Sequence, residues 1–174
     1  MSANLDNKNS DAVKVHPEIL NASGHACGFF QSEDEEYEVL LPFIRDGLQL
    51  GERAIHIVEP GRQAEHLQRL ADAGIEVEAP VASGQLVVLD WNDTYWKDGP
   101  FDQERTMAMA AAARQQGRQL GYQRTRFIAR MGWGLQSGNL SALALYEATA
   151  DFVPLDGDVA ICVYQIPSWG GQLL

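Results

Sequence analysis

The stretch that decides the fold is HACGFFQSEDEEYEVLLPFIRDGLQLGERAIHIVEP, residues 25–60. It runs from an apolar segment through an acidic turn into a helical pattern, and it ends in a second apolar segment. A strand, a helix and a strand in this order open a nucleotide-binding α/β domain. The turn is Gln31-Ser32-Glu33-Asp34-Glu35-Glu36, however, and it lacks the glycines and the lysine that surround phosphate in a P-loop.

The acidic turn has its own capping chemistry. Ser32 and Glu35 have the spacing of a capping box, in which the Ser oxygen accepts from first-turn N–H groups and Glu35 returns to the Ser32 N–H. The carboxylates of the first turn suit the positive end of the helix dipole and would repel a triphosphate. The sequence therefore predicts that this turn holds the chain's own carboxylates in place of a phosphate.

Hydrophobic patterning predicts an α/β fold. Apolar runs without clean alternation predict strands buried on both faces, at His25–Phe30, Arg53–Glu59, Gln85–Trp91, Thr125–Met131 and Val159–Ile166. Helical periods lie between them, and the predicted helices begin after Ser32, near Ala64, at Asp102 and near Ser141. We therefore expect a mostly parallel sheet of about five strands with helices on both faces.

Composition limits the domain count and the partners. A chain of 174 residues, 45% of them hydrophobic, can bury one core, and we expect a flexible arm over 1–23 and a single domain over 24–174. The formal net charge of -11 disfavours direct binding to nucleic acid or to an anionic membrane. Because both cysteines lie in apolar runs and neither a signal peptide nor a membrane-spanning segment is apparent, we expect a cytoplasmic protein with reduced thiols.

Several stretches together resemble one known family. They are HACGFFQSEDEE, FIRDGLQLGERAIHIVE, GQLVVLDWNDTYWKDGPFD, RMGW, LYE and AICVYQ, and in this order they are similar to the MEDS family, the sensory domain of methanogens, methylotrophs and dichloromethane-responsive regulators, over Gly24–Gln165. The resemblance implies a RecA/KaiC-like domain, related to P-loop NTPases, that has lost the ATP-binding loop. It also implies a role in sensing small organic molecules. Relatives often carry a helix-turn-helix or a kinase module that links them to transcription regulation and signalling.

Three functions remain open at this point. The first is a non-catalytic sensory module that binds a small organic ligand, uses no cofactor and relays to a signalling protein partner. The second is a ligand-free adaptor whose partner surface is the acidic start of the first helix at Glu33–Glu38. The third is an enzyme, either a divergent ATPase, with Glu59 and Asp90 as the weak matches to its carboxylates, or a hydrolase. A homo-oligomer is compatible with each of them.

The candidate ligand site lies at the carboxyl ends of the strands, where open α/β sheets bind their ligands. The residues there are Gln31, Glu59, Trp91 with Tyr95, Arg130 with Trp133, and Gln165. Aromatic walls with a few polar groups suit a small organic ligand. The alternative is that the aromatic side chains pack together over the end of the sheet. The Gly-rich segment MGWGLQSGN is interpreted as a loop and a possible lid.

Glu147 completes the set of candidate ligand-binding residues. It lies in a predicted helix that is apolar nearly all round, which indicates burial, and a buried carboxylate needs a partner. Arg130, in an otherwise apolar strand, needs a partner for the same reason. The sequence therefore predicts an ion pair between Arg130 and Glu147.

His25, Cys27 and Cys162 form a candidate thiol and imidazole cluster. The two cysteines would be a redox pair only if the first and last strands were neighbours. The chain has no CxxC or HxxxH spacing, so the sequence favours buried thiols and a hydrogen-bonded histidine, and it predicts no metal.

Overall fold

The structure is a computed structural model that describes residues 24–136, 138, 140–153 and 155–166. The predicted arm over 1–23 and the last eight residues, 167–174, lie outside the described residues. In chain order the elements are β1 (His25–Phe30), α1 (Glu33–Gln49), β2 (Arg53–Val58), α2 (Gln63–Asp72), α3 (Glu78–Ser83), β3 (Leu86–Asp90), α4 (Gln103–Gln119), β4 (Thr125–Arg130), α5 (Gly132–Gln136), α6 (Leu140–Ala150) and β5 (Val159–Gln165).

The five strands form one parallel sheet with the order β1-β5-β4-β2-β3. Every residue of β2 and of β4 is buried, which explains why these strands show no alternation of apolar and polar residues. The prediction of an α/β fold with a mostly parallel sheet of about five strands is confirmed. Each strand begins and ends within one residue of its predicted bounds.

The sheet separates two cores. On one face, α1 and α2 contribute Leu40, Phe43 and Leu70 to a core that includes Ile128 and Val163 of the sheet. On the other face, side chains of α5, α6 and the segment after β3 pack on alternate residues of the same strands; among them are Trp91, Trp133, Tyr146, Ala129 and Cys162. Neighbouring residues of one strand therefore belong to different cores.

The capping of α1 differs from the prediction in one detail. Ser32 is the N-cap, and its hydroxyl oxygen accepts from the Glu35 N–H at 3.2 Å, as expected. Glu35 returns to the backbone N–H of Gln31 at 2.6 Å instead of to that of Ser32. The acidic first turn of α1 is thus capped by groups of the chain itself.

Two short helices lie outside the sequence expectation. Residues Gly132–Gln136 form α5, so the segment interpreted as a loop is partly helical, although 137 and 139 lie outside the described residues. Residues Glu78–Ser83 form α3. In the part of the chain that the structure describes, no helix is both long and apolar enough to cross a membrane.

Candidate functional site

The acidic start of α1 is bound by three arginines, one from β4, one from the turn before α2 and one from α2. The Arg130 guanidinium, from the end of β4, donates to Glu36 at 2.9 Å, to Glu33 at 2.8 Å and to Glu59 at 2.9 Å. Arg62 also contacts Glu33, at 2.8 Å, and Arg69, from α2, pairs with Glu33 and Asp34. An ionic cluster therefore occupies the position at which a P-loop would hold phosphate.

The central ion pair of this ionic cluster is buried. Glu36 and Arg130 are only 3% and 4% exposed. Burial raises the pKa of Glu36, while the charge of Arg130 opposes that rise. Burial likewise disfavours the charge of Arg130, but attraction from Glu36 and Glu59 prevails and raises the pKa of this arginine. The carboxylates around Arg130 are already committed to a cation, so they are not available to a ligand without breaking buried ion pairs.

The predicted ion pair between Arg130 and Glu147 is wrong. Arg130 points to the face of the sheet that α1 covers, where it meets Glu33, Glu36 and Glu59. Glu147 contacts the opposite face, where its carboxylate meets His25 at 3.0 Å and the Tyr164 hydroxyl. The sheet separates the two side chains.

A buried chain of hydrogen bonds lies beside the ionic cluster. The Tyr37 hydroxyl is 2.6 Å from Nδ1 of His66, and Nε2 of His66 is 2.7 Å from Nδ1 of His56. Burial, together with the nearby charge of Arg130, lowers the pKa of His56 to about 4. Burial, with the charges of His56 and Arg130, lowers the pKa of His66 to about 2. Both imidazoles are therefore neutral at physiological pH.

The predicted aromatic crevice is filled by its own side chains. Trp91, Tyr95 and Trp133 are 2%, 1% and 1% exposed, respectively. Tyr95 lies 5.0 Å from the Trp133 ring, and Phe101 stacks on Trp133 at 4.3 Å between ring centroids. The Trp91 indole donates to the Arg130 carbonyl at 2.9 Å. These rings pack against one another, and Tyr95 also lines a cavity on this face of the sheet.

An apolar cavity of about 100 Å³ lies on the same face of the sheet, beneath α4. Strand side chains form its floor, and Met107, Met109, Ala110 and Ala113 of α4 form its roof. The remaining lining includes Ile55, Ile57, Leu89, Thr94, Tyr95, Thr106, Phe127, Ala129, Tyr146, His25 and Cys162.

Short side chains on α4 explain the space. Alanines face the sheet where larger side chains would have filled it, and only Thr106 and Gly117 of α4 are fully buried. Three hydroxyl groups on the walls are satisfied locally: Thr94 and Thr106 donate to the carbonyls of Asp90 and Asp102, each at 2.8 Å, and the Tyr95 hydroxyl donates to the Met131 sulfur at 3.2 Å. The cavity therefore presents mainly apolar atoms.

The predicted thiol and imidazole cluster is assembled by the sheet and by α6. Cys27 of β1 lies opposite Cys162 of β5 in the strand register, so the first and last strands are neighbours. The Cys27 thiol donates to Glu147 at 3.3 Å, and His25 lies between Glu147 and Asp151, at 3.0 Å and 2.7 Å. Both cysteines are free thiols.

Charge is distributed unevenly within this cluster. Side-chain hydrogen bonds with Cys162, Cys27 and Glu147 raise the pKa of His25 well above its usual range. Burial raises the pKa of Cys162 to about 12. Burial opposes the charge of Glu147, but its hydrogen bonds with His25 and Tyr164 prevail and lower its pKa.

The predicted site residues therefore fall into separate groups. Glu59 and Arg130 belong to the ionic cluster, together with Gln165, which donates to Glu36 at 3.1 Å. Trp91 and Trp133 belong to the aromatic packing, and Tyr95 lines the cavity. Glu147 joins His25, Cys27 and Cys162. Sequence reasoning missed the cavity, and the one signal for it was the alanine-rich inner face of α4.

The fold and the filled phosphate position define a RecA/KaiC-like α/β domain without a phosphate-binding loop. Among solved structures, the chain is similar to the KaiC-like protein PH0186 from the hyperthermophilic archaeon Pyrococcus horikoshii OT3, with a TM-score of 0.51 and 12% sequence identity. The match covers 83% of this chain and 62% of that protein, so the chain spans less than two thirds of its length. A likeness at this identity supports the fold alone.

The family follows from the sequence match. Residues 24–174 match the family model MEDS, the MEthanogen/methylotroph, DcmR Sensory domain, and the chain belongs to this family of sensory domains. A comparison with curated proteins finds no match to this chain.

Proposed function

We propose that this chain is a non-catalytic sensory module that binds a small apolar organic molecule beneath α4 and relays its occupancy to a protein partner. The observation that carries the proposal is the apolar cavity of about 100 Å³ against the central strands. An engineered cavity of about 150 Å³ in another protein holds benzene or xenon. The ligand is therefore expected to be smaller than benzene, such as a short or halogenated hydrocarbon.

The position of α6 supports a relay to a partner. On its inner side, Tyr146 and Ala150 line the cavity. On its outer side, Leu140 and Leu145 are 58% and 60% exposed, and Phe152, just beyond its end, is 86% exposed. One helix thus contacts both the ligand space and an exposed apolar surface, which is typical of a protein interaction site. A small shift of α6 on ligand binding would change that surface.

A divergent ATPase is disfavoured by the contacts of its candidate carboxylates. Glu59 is paired with Arg130 at 2.9 Å. Asp90 accepts from Gln63 at 2.8 Å and from the backbone N–H of Asn92 at 2.7 Å. Both carboxylates serve the fold, and the position of the phosphates is taken by the ionic cluster.

The ligand-free adaptor remains the second candidate, because the aromatic residues at the strand ends fill their crevice. Its proposed acidic surface has less support. Glu33 and Glu36 are paired with arginines, and Asp34 is paired with Arg69. Much of the negative charge that a basic partner would recognise is neutralised within the chain, which moves the expected partner surface to α6.

Binding to the cavity can be followed at its own methionines. We expect xenon and short halogenated hydrocarbons to shift the methyl NMR signals of Met107 and Met109, which line the cavity. The variant Ala110→Leu, which fills the cavity from α4, should abolish these shifts. Ala111→Leu is the matched control, because this substitution adds the same side chain on the exposed side of the same helix.

The outcomes separate the two candidate functions. Shifts that are lost in Ala110→Leu and kept in Ala111→Leu support the sensor. If neither xenon nor any hydrocarbon shifts these signals in the wild-type protein, the sensor proposal fails and the adaptor is favoured.

A further inference from the structure

We propose that His25, Cys27, Glu147 and Cys162 form a binding site for a thiophilic divalent metal ion of the zinc class. This site goes beyond the sensory function proposed above and does not depend on the cavity being occupied. It also differs from the expectation drawn from sequence, which found no metal-binding spacing. Strand pairing brings together ligand residues that lie far apart in the sequence.

The strand register brings three of the four residues to one place. His25 and Cys27 are two residues apart on β1, so their side chains project from the same face of the sheet. Cys162 lies directly opposite Cys27 on β5, and paired residues of neighbouring parallel strands share a face. Glu147 reaches the same point from α6, which packs over this face.

Three of the four donor atoms lie near one another, and the fourth, Sγ of Cys27, contacts the carboxylate of Glu147. One ligand atom each from His25, Glu147 and Cys162 lies within 4.8 Å of the others. Nε2 of His25 is 3.0 Å from Oε2 of Glu147, and Sγ of Cys27 is 3.3 Å from the same oxygen. Zinc bond lengths place the ligand atoms of a tetrahedral site roughly 3.3–3.8 Å apart. Only small side-chain rotations are needed to enclose an ion.

The groups behind these side chains match those of known metal sites. Nδ1 of His25 lies 2.7 Å from Oδ1 of Asp151, which leaves Nε2 directed toward Glu147 and the thiols. A carboxylate on the far nitrogen of a metal-binding histidine is the usual arrangement, because it fixes the ring and its tautomer. The other oxygen of Glu147 is held by the Tyr164 hydroxyl. Both the histidine and the carboxylate are therefore oriented before an ion arrives.

The donor set selects the class of metal. Two thiols and an imidazole favour zinc and similar soft or borderline ions, whereas magnesium and calcium prefer oxygen ligands. An ion held by β1, β5 and α6 would tie the edge strand to the helix that covers it. Since His25 and Cys162 also line the cavity, the ion would lie at its wall.

Cobalt substitution tests the site without an activity assay. The purified full chain, stripped with a chelator and kept reduced with a phosphine, is titrated with Co²⁺ and then with Zn²⁺. We expect one Co²⁺ per chain, thiolate-to-cobalt charge-transfer bands and the visible bands of tetrahedral cobalt, all removed by Zn²⁺. Bands of octahedral cobalt without charge transfer would overturn the proposal and leave a hydrogen-bonded cluster.

Variants assign the individual ligands. Cys27→Ser, at an exposed position that folding tolerates, should remove about half of the charge-transfer intensity, because one of two thiolates is lost. Glu147→Gln should weaken binding strongly, and Asp151→Asn should weaken it by about 10- to 100-fold through the orientation of His25. Glu104→Gln, an exposed carboxylate on α4 that undergoes the same change, should leave binding unchanged. Full binding and full intensity in both Cys27→Ser and Glu147→Gln would refute the assignment.

Discussion

At the scale of single residues, Arg130 is the side chain on which the phosphate-free turn depends. Its side chain is 5% exposed and donates to three carboxylates. We expect Arg130→Met to lower the free energy of unfolding by about 3–5 kcal/mol, because it leaves buried carboxylates without their cation. Arg62→Gln is the control, since Arg62 is 34% exposed and exposed pairs contribute at most about 1 kcal/mol. Urea unfolding measures both, and equal losses would contradict this account.

A second substitution distinguishes unpaired charge from lost packing as the cause of the stability loss in Arg130→Met. If unpaired charge causes the loss, adding Glu36→Gln to Arg130→Met should recover part of the stability, because it removes a buried carboxylate that has lost its partner. If lost packing causes it, the double variant should be no more stable than Arg130→Met.

The two buried histidines make stability depend on pH. Because the pKa values of His56 and His66 are lowered from 6.5 to about 4 and about 2, only the unfolded chain binds protons at these residues as the pH falls below 6.5. Stability is therefore lost on acidification, by about 2 kcal/mol per histidine at pH 5. Urea unfolding at pH 7 and pH 5 should show a smaller loss in His66→Gln than in the wild type. His25, Glu36 and His56 are present in both proteins, so the difference between them reports His66 together with its effect on its hydrogen-bond partner His56.

The mistaken pairing of Arg130 with Glu147 shows where inference from sequence ends at this scale. Burial and the need of each charge for a partner were both evident from the apolar neighbours. The choice of partner depends on which face of the sheet α6 covers, and that follows from the strand order. Ala129 and Arg130 are adjacent in sequence, yet their side chains lie on opposite faces of the sheet. Two side chains one residue apart in a strand therefore meet different partners.

At the scale of elements, the prediction succeeded where the hydrophobic pattern of an element is visible in the sequence. The strands were predicted within one residue, because each is an apolar run that lies between turn residues. The helices α3 and α5 have six and five residues, which is too short for a visible period. The apolar sequence of α6 indicated burial all round, but only Leu143 and Tyr146 of this helix are buried, and Leu145 is exposed. An apolar helix can therefore mark a surface for a partner as well as a core.

Gly47 gives a test of packing between elements. In the interior of α1, Gly→Ala would normally stabilise the helix by about 1 kcal/mol. A Cβ at Gly47, however, would lie 2.7 Å from Cδ of Arg126, whose guanidinium is held by Glu52 and by the Phe43 carbonyl at 2.7 Å. We therefore expect Gly47→Ala to destabilise the protein by about 1–3 kcal/mol. Gln49→Ala, at an exposed position of the same helix, should change stability by less than about 0.5 kcal/mol. A stabilised Gly47→Ala in urea unfolding would show that Arg126 moves freely.

At the scale of the whole molecule, one sheet supports two different halves. The face covered by α1 and α2 holds the ionic cluster and the histidine chain, whose polar groups are bound to one another. The opposite face holds the cavity, the thiol cluster and the exposed apolar side of α6. The capped, acidic turn in place of a P-loop could be predicted from the sequence alone. The position of the cavity could not, because it depends on the distance between α4 and the strands, which no local pattern encodes.

This division predicts where a ligand changes the dynamics of the protein. A molecule that fills the cavity adds contacts to α4 and to the inner side of α6, so the backbone amides of these helices should exchange with deuterium more slowly. The helices α1 and α2 pack on the other face of the sheet. The deuterium exchange of their backbone amides should slow only to the extent that the ligand raises the global stability. Hydrogen exchange followed by mass spectrometry, with and without xenon under pressure, measures both halves at once. Ala110→Leu should show the slower exchange at α4 without xenon and no further change with it. Equal slowing on both faces would mean that the ligand acts through global stability, and α6 would then lose its role as the relay.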